Sequence, residues 1–86
     1  MKIEKPAVCG SMESSDIMIS LFPAQGLSID LESSVDIYYH DSIIKVIEAC
    51  LKENDVSDVK VKAVDHGALD CTIKARMNTA IKRSKC

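Results

Sequence analysis

At 86 residues, 47% apolar and 28% charged, the chain has enough material for one small domain with a modest core and too much hydrophobic content for disorder. A net charge of −2 and only 3% aromatic residues count against nucleic acid as the main partner, because phosphate neutralisation and base stacking need what this chain lacks. No apolar run is long enough to cross a bilayer, and Met1-Lys2-Ile3-Glu4-Lys5-Pro6 has no apolar signal core, so a cytoplasmic protein without membrane contact is expected.

In chain order, Ala7-Val8-Cys9 is compatible with a first strand. In the next apolar run Ile17, Ile19 and Leu21 alternate with Met18, Ser20 and Phe22 at the period of two that marks a second strand. Between them, Gly10-Ser11-Met12-Glu13-Ser14-Ser15-Asp16 is a polar, hydroxyl-rich turn, which places the serines at a hairpin tip. Such a tip is open to a modifying enzyme without any unfolding. It reads as a modification site, although short hydroxyl side chains also favour turns simply by bonding nearby amides.

Pro23-Ala24-Gln25-Gly26 is a turn, and Leu27, Ile29 and Leu31 alternating with Ser28, Asp30 and Glu32 predict a third strand with one wet face. Ser33-Ser34 then precedes a helical pattern, with Asp36 three residues after Ser33 as in a capping box. The first helix is expected from about Val35 to Glu53. Its core stripe is Val35, Tyr39, Ile43, Val46, Ile47 and Cys50, opposite the acid-first pairs Asp41/Lys45 and Glu48/Lys52. After Asn54-Asp55, Val59, Val61 and Ala63 alternate with Lys60 and Lys62 as a fourth strand, so the helix crosses over the sheet. Asp65-His66-Gly67 is a turn into a second helix, about Ala68 to Arg83, with the stripe Leu69, Ile73, Met77, Ala80 and Ile81. From Thr72 onward there are five basic residues (Lys74, Arg76, Lys82, Arg83 and Lys85) and no acidic one, a face that is solvated or docks an acidic partner or the phosphates of a ligand. The predicted fold is α+β: a small, mostly antiparallel sheet of about four strands packed against two helices, in the order β-β-β-α-β-α, with residues 1–86 forming a single domain.

The four cysteines, Cys9, Cys50, Cys71 and Cys86, include no C-x-x-C pair, and His40 and His66 stand apart from other ligands in sequence. Reduced thiols and no metal site are therefore expected. Cys71 is read as a packed residue, in keeping with how often cysteine is buried. There is no G-x-S-x-G elbow, phosphate-cradling glycine loop or local Cys/His or Ser/His pairing, so no catalytic residue is assigned.

Three stretches carry a family resemblance: Lys2 to Ile19, with its K-I-x-x-P-A-V-x-G-x-x-E-S-x-D-I-M-I pattern; Ser33-Ser34-Val35; and Val64-Asp65-His66-Gly67-Ala68-Leu69-Asp70-Cys71-Thr72-Ile73-Lys74-Ala75-Arg76. Together they closely resemble the acyl carrier (gamma) subunit of bacterial citrate lyase, over nearly the whole chain. The resemblance implies a non-catalytic carrier in which Ser14 is joined by a phosphodiester to 2'-(5''-triphosphoribosyl)-3'-dephospho-CoA, an arm ending in a thiol. It also implies three partners: the alpha subunit, which exchanges acetyl for citryl on the arm; the beta subunit, which cleaves citryl to oxaloacetate and regenerates acetyl; and the transferase that attaches the arm.

Glu13 and Asp16 are expected to repel the arm's phosphates and keep it off the protein. The family often has Gly after the attachment serine, where this chain has Ser15; this leaves two adjacent hydroxyls, of which the intact Glu13-Ser14-x-Asp16 frame favours Ser14. The rival readings are the related carrier of malonate decarboxylase, against which the Gly67-Ala68-Leu69-Asp70-Cys71 run speaks, and an unmodified interaction module docking through its basic helix. An enzyme acting through Cys71 is the weakest of the alternatives.

Overall fold

The computed structural model describes residues 3–33 and 39–84. Its elements are β1 (Ala7–Gly10), β2 (Ile17–Pro23), β3 (Leu27–Ser33), α1 (His40–Glu53), β4 (Val59–Asp65) and α2 (Asp70–Ser84). They form one four-stranded sheet in the order β1-β2-β4-β3, so the predicted class and element order are the ones observed. β2 is antiparallel to both β1 and β4. The β3–α1–β4 crossover makes β3 and β4 neighbours and parallel, as a helical connection between strands requires.

The alternation in the sequence becomes the two faces of this sheet. Ala7, Cys9, Ile17, Ile19, Leu21, Val59, Val61 and Ala63 are all buried, and register puts them in rows: Cys9 opposite Ile19, Ile19 opposite Ala63, Leu21 opposite Val61. Both helices lie on that side. α2 packs on β1, β2 and α1, while α1 also reaches β3. Ile43, Ile47, Cys50 and Leu51 from α1 and Ile73, Met77, Ala80 and Ile81 from α2 complete one hydrophobic cluster, whose burial supplies most of the folding drive at about 25 cal/mol per Å² of apolar surface. The opposite sheet face carries exposed Phe22, Lys60 and Lys62 and half-buried Met18.

Leu51 completes the i, i+4 row begun by Ile43 and Ile47. Ile3 is buried because the N-terminal segment is tied to the end of α2, where the Glu4 and Lys5 amides both donate to the Ser84 carbonyl. Three side chains assigned to the core are instead exposed. Tyr39 (61% exposed) is the N-cap residue of α1 and Leu69 (68%) precedes the first helical residue of α2, so each keeps the spacing of its stripe but sits just outside the helix that buries the stripe. Cys71 is exposed, one residue into α2 and off the Ile73–Met77 row.

Of the capping box expected between Ser33 and Asp36, the Asp36 end, like the helix start at Val35, lies outside the described residues. Ser33 ends β3 instead, with its hydroxyl donating to Asp65. At the other end of α1 the chain stops the helix with a Schellman motif. Asp55 takes a left-handed φ of 55°, its amide donates to the Lys52 carbonyl, and the Val56 amide donates to the Leu51 carbonyl at 2.9 Å. Both partners of the accompanying apolar pair, Leu51 and Val56, are buried. Among the described residues no helix is long and apolar enough to cross a membrane.

Candidate functional site

The loop between β1 and β2 sits at the end of the sheet where β4 runs out into α2. Gly10 opens it with a φ of 110°. Ser14 and Ser15 are both exposed at the turn, so the structure presents two hydroxyls at the tip. Ser15 adopts a left-handed φ of 63°, a conformation that costs a non-glycine residue about 1–2 kcal/mol. This gives a physical reason for the glycine that the resembling family often places here. Ser15→Gly is expected to raise the unfolding free energy by up to about 1 kcal/mol, the local strain relieved being partly offset by glycine's larger unfolded-state entropy; urea denaturation of the two chains compares them.

The strained turn is held from three directions. The Ser15 amide donates to the His66 carbonyl at 2.7 Å and the His66 amide returns a bond to the Asp16 carbonyl at 2.9 Å, so the tip pairs with the turn that follows β4. Within the loop, the Ser11 hydroxyl donates to Asp16 Oδ2 at 2.6 Å and accepts from the Glu13 amide at 3.3 Å, while the Ile17 amide donates to Asp16 Oδ1 at 2.8 Å. From α2, Arg76 Nε donates to Oδ1 at 3.1 Å and Nη2 to Oδ2 at 2.8 Å. That two-pronged fork is the strong form of a carboxylate–guanidinium contact.

Asp16 is therefore the hub of the loop. Its carboxyl is held down at about 2 by the Arg76 bonds first, then by the Ser11 hydroxyl and the Ile17 amide. Arg76 in turn is pushed up, by Asp16 first and by Cys9 next. The repulsive role expected of Asp16 is not what the structure shows. Its charge is matched by Arg76 and its side chain is only 14% exposed, which leaves exposed Glu13 as the acidic group turned to solvent at the tip.

A second carboxylate supports the first. Asp65, 1% exposed, accepts from the Ser33 hydroxyl at 3.0 Å, the Gly67 amide at 3.2 Å and the Ala68 amide at 3.0 Å. It closes the turn that carries His66, which is the loop's main-chain partner. Asp65-His66-Gly67 is legible in the sequence as a turn, but no local pattern ties that turn to the serine loop. His40 begins α1 and lies apart from this cluster in the element order, and no group of three or more candidate metal ligands occurs among the described residues. Cys9 and Cys50 are buried and unbridged, and Cys71 is unbridged at the surface; burial pushes the Cys50 thiol up.

Ser14 is thus an exposed serine on a braced tip. Comparison with known proteins supplies the context. A citrate lyase acyl carrier protein from Streptococcus mutans is 52% identical over 86 residues, covering 98% of this chain and 84% of that one. One from Treponema denticola is 42% identical over 84 residues, covering 98% and 97%. This chain belongs to the citrate lyase acyl carrier protein family. The family model described as "ACP: Malonate decarboxylase delta subunit (MdcD)" matches residues 4–84, which joins these acyl carriers to those of the decarboxylase. The fold agrees: a chain in the crystal structure of a Pseudomonas malonate decarboxylase hetero-tetramer in complex with malonate superposes with a TM-score of 0.82 at 21% identity, over 96% of this chain and 87% of that one. That likeness shows a shared sheet-and-helix fold.

Proposed function

We propose that this chain, residues 1–86 acting as a single acyl carrier domain in the cytoplasm, is the carrier subunit of a citrate lyase, with Ser14 the attachment residue for 2'-(5''-triphosphoribosyl)-3'-dephospho-CoA. The observation that carries the reading is the solvent-exposed Ser14 on a loop braced by Asp16, Arg76 and His66, in a chain 52% identical to a citrate lyase acyl carrier protein. The site fits a long anionic group. The tip hydroxyl faces solvent, nothing needs to unfold for an enzyme to reach it, and the Asp16 charge beside it is matched by Arg76.

When bound, the arm supplies the thiol that carries acetyl and citryl groups between the alpha (transferase) and beta (lyase) subunits. The residues of this chain contribute geometry. The core fixes the base of the loop, the loop fixes Ser14, and exposed Glu13 keeps phosphates from settling on the tip. A tethered reactant meets successive active sites at an effective concentration set by tether length, so the carrier acts without an acid or base of its own.

Intact-mass measurement with peptide mapping tests this, on wild type and Ser14→Ala each made in a host that also produces the arm and its transferase. A mass increase equal to the arm, mapped to Ser14 and lost in the variant, is expected. An unmodified wild type, or an arm mapped to Ser15, overturns the assignment. The carrier of malonate decarboxylase is the second reading, favoured by the family model and the shared fold. Restoration of citrate cleavage by the loaded chain mixed with citrate lyase alpha and beta subunits separates the two.

A further inference from the structure

A six-residue connection between antiparallel strands is ordinarily among the more mobile parts of a small domain. Here its tip residue also holds a left-handed φ of 63° at Ser15, a conformation that persists only where surroundings impose it. Two sets of bonds do so. The main-chain pair with His66 comes from the next turn of the sheet; the other set converges on the Asp16 carboxylate, and Arg76 is its contribution from outside the loop, 60 residues away in sequence. Arg76 projects from α2, whose Ile73 and Met77 are fully buried, so the fork is mounted on a rigid element. The Arg76 side chain is 38% exposed, which puts it at the surface and makes it a small contributor to the core.

We propose that Arg76 is a positioning residue for the arm-attachment step: by gripping Asp16 from α2 it holds the 11–16 loop in the conformation in which the transferase meets the Ser14 hydroxyl. The proposal rests on attachment at Ser14. It assigns Arg76 no contact with the arm or with reacting atoms. Its effect arises because a nucleophile displaced by about an ångström can lose two orders of magnitude in rate, and a loop that must first be ordered presents its competent form for only a fraction of the time.

Two readouts on Arg76→Gln, Arg76→Lys and Asp16→Asn decide it. The first is hydrogen exchange of the unmodified chain, which needs no transferase. Exchange of the Ser15 amide is expected to quicken at least tenfold in Arg76→Gln and in Asp16→Asn, and less in Arg76→Lys, while the core amides of Ile19 and Val61 keep their protection. The second is the rate of arm loading by the transferase, expected to fall at least tenfold in kcat/KM for each of Arg76→Gln and Asp16→Asn. The double variant should fall no further than the worse single one, because both changes break the same fork.

Unchanged Ser15 exchange overturns the proposal. So does loading that falls without any change in exchange, since Arg76 would then be touching the transferase directly. If Arg76→Gln lowers core protection as well, Asp16→Asn, which keeps an acceptor for Ser11 and Ile17, decides in its place. Failure of the wild type to load overturns attachment at Ser14 and is recognised as such, because the exchange result on Arg76 still stands or falls by itself.

Discussion

Gly10→Ala should destabilise the domain by about 3 kcal/mol, at the upper end of what single substitutions do, and lower Tm by roughly 12–24 °C for a chain of this size. The reason is geometric. At a φ of 110° a Cβ on residue 10 would lie 1.8 Å from the Ile17 carbonyl oxygen and 3.0 Å from the Met18 Cα. All the atoms it meets are backbone, and Gly10 pairs with Met18 across the β1–β2 ladder. No side chain can swing aside; relief requires parting the two strands or twisting residue 10 out of the left-handed region. Because the Ser14 loop springs from this position, the strain falls on the proposed attachment site as well as on global stability. Thermal unfolding by circular dichroism gives the measurement, and a loss under 1 kcal/mol would mean that the strands begin their turn differently.

Asp65→Ala is expected to cost about 3–5 kcal/mol, as removal of a buried hydrogen-bonded carboxylate does. The carboxylate is 1% exposed and serves the Ser33 hydroxyl and the Gly67 and Ala68 amides at 3.0–3.2 Å. Truncation leaves these donors to find new partners at the buried end of β4, and burying an unsatisfied donor is what makes such losses large. Asp65→Asn keeps one acceptor oxygen and should lose about half as much. The consequence extends beyond stability. His66 lies between the amides that Asp65 holds and the Ser15–Asp16 backbone it pairs with, so loosening this turn removes the loop's main-chain brace. Urea denaturation gives the global cost, and Ser15 amide exchange in Asp65→Asn tells whether the tip loosens with it.

These two residues also show where sequence reading reached and where it stopped. The strands were legible because each carries its own signature: Ile17, Ile19 and Leu21, or Val59, Val61 and Ala63, alternate with polar neighbours, and a half-buried strand can do nothing else with that pattern. Helix interiors were legible for the same kind of reason, while their ends were less so, because Tyr39 and Leu69 continue a spacing that their backbone does not. Glycine at position 10 could be placed in a turn, but its particular φ, and the carbonyl standing where a side chain would go, follow from the pairing of β1 with β2.

What the sequence by itself determined is therefore the local grammar: four alternating runs, two amphipathic stripes, a polar serine-rich tip, and a pattern of residues at both ends that resembles one family of acyl carriers. What the tertiary structure alone decided is which distant groups meet. It set β4 between β2 and β3, made β3 and β4 parallel, brought His66 against Ser15, and placed Arg76 on Asp16. Periodicity records only which face of an element is buried, and it fixes neither the neighbour across that face nor the long side chain that crosses to another element. Those choices depend on strand order and helix placement, and here they turn an ordinary polar hairpin tip into a braced platform for Ser14.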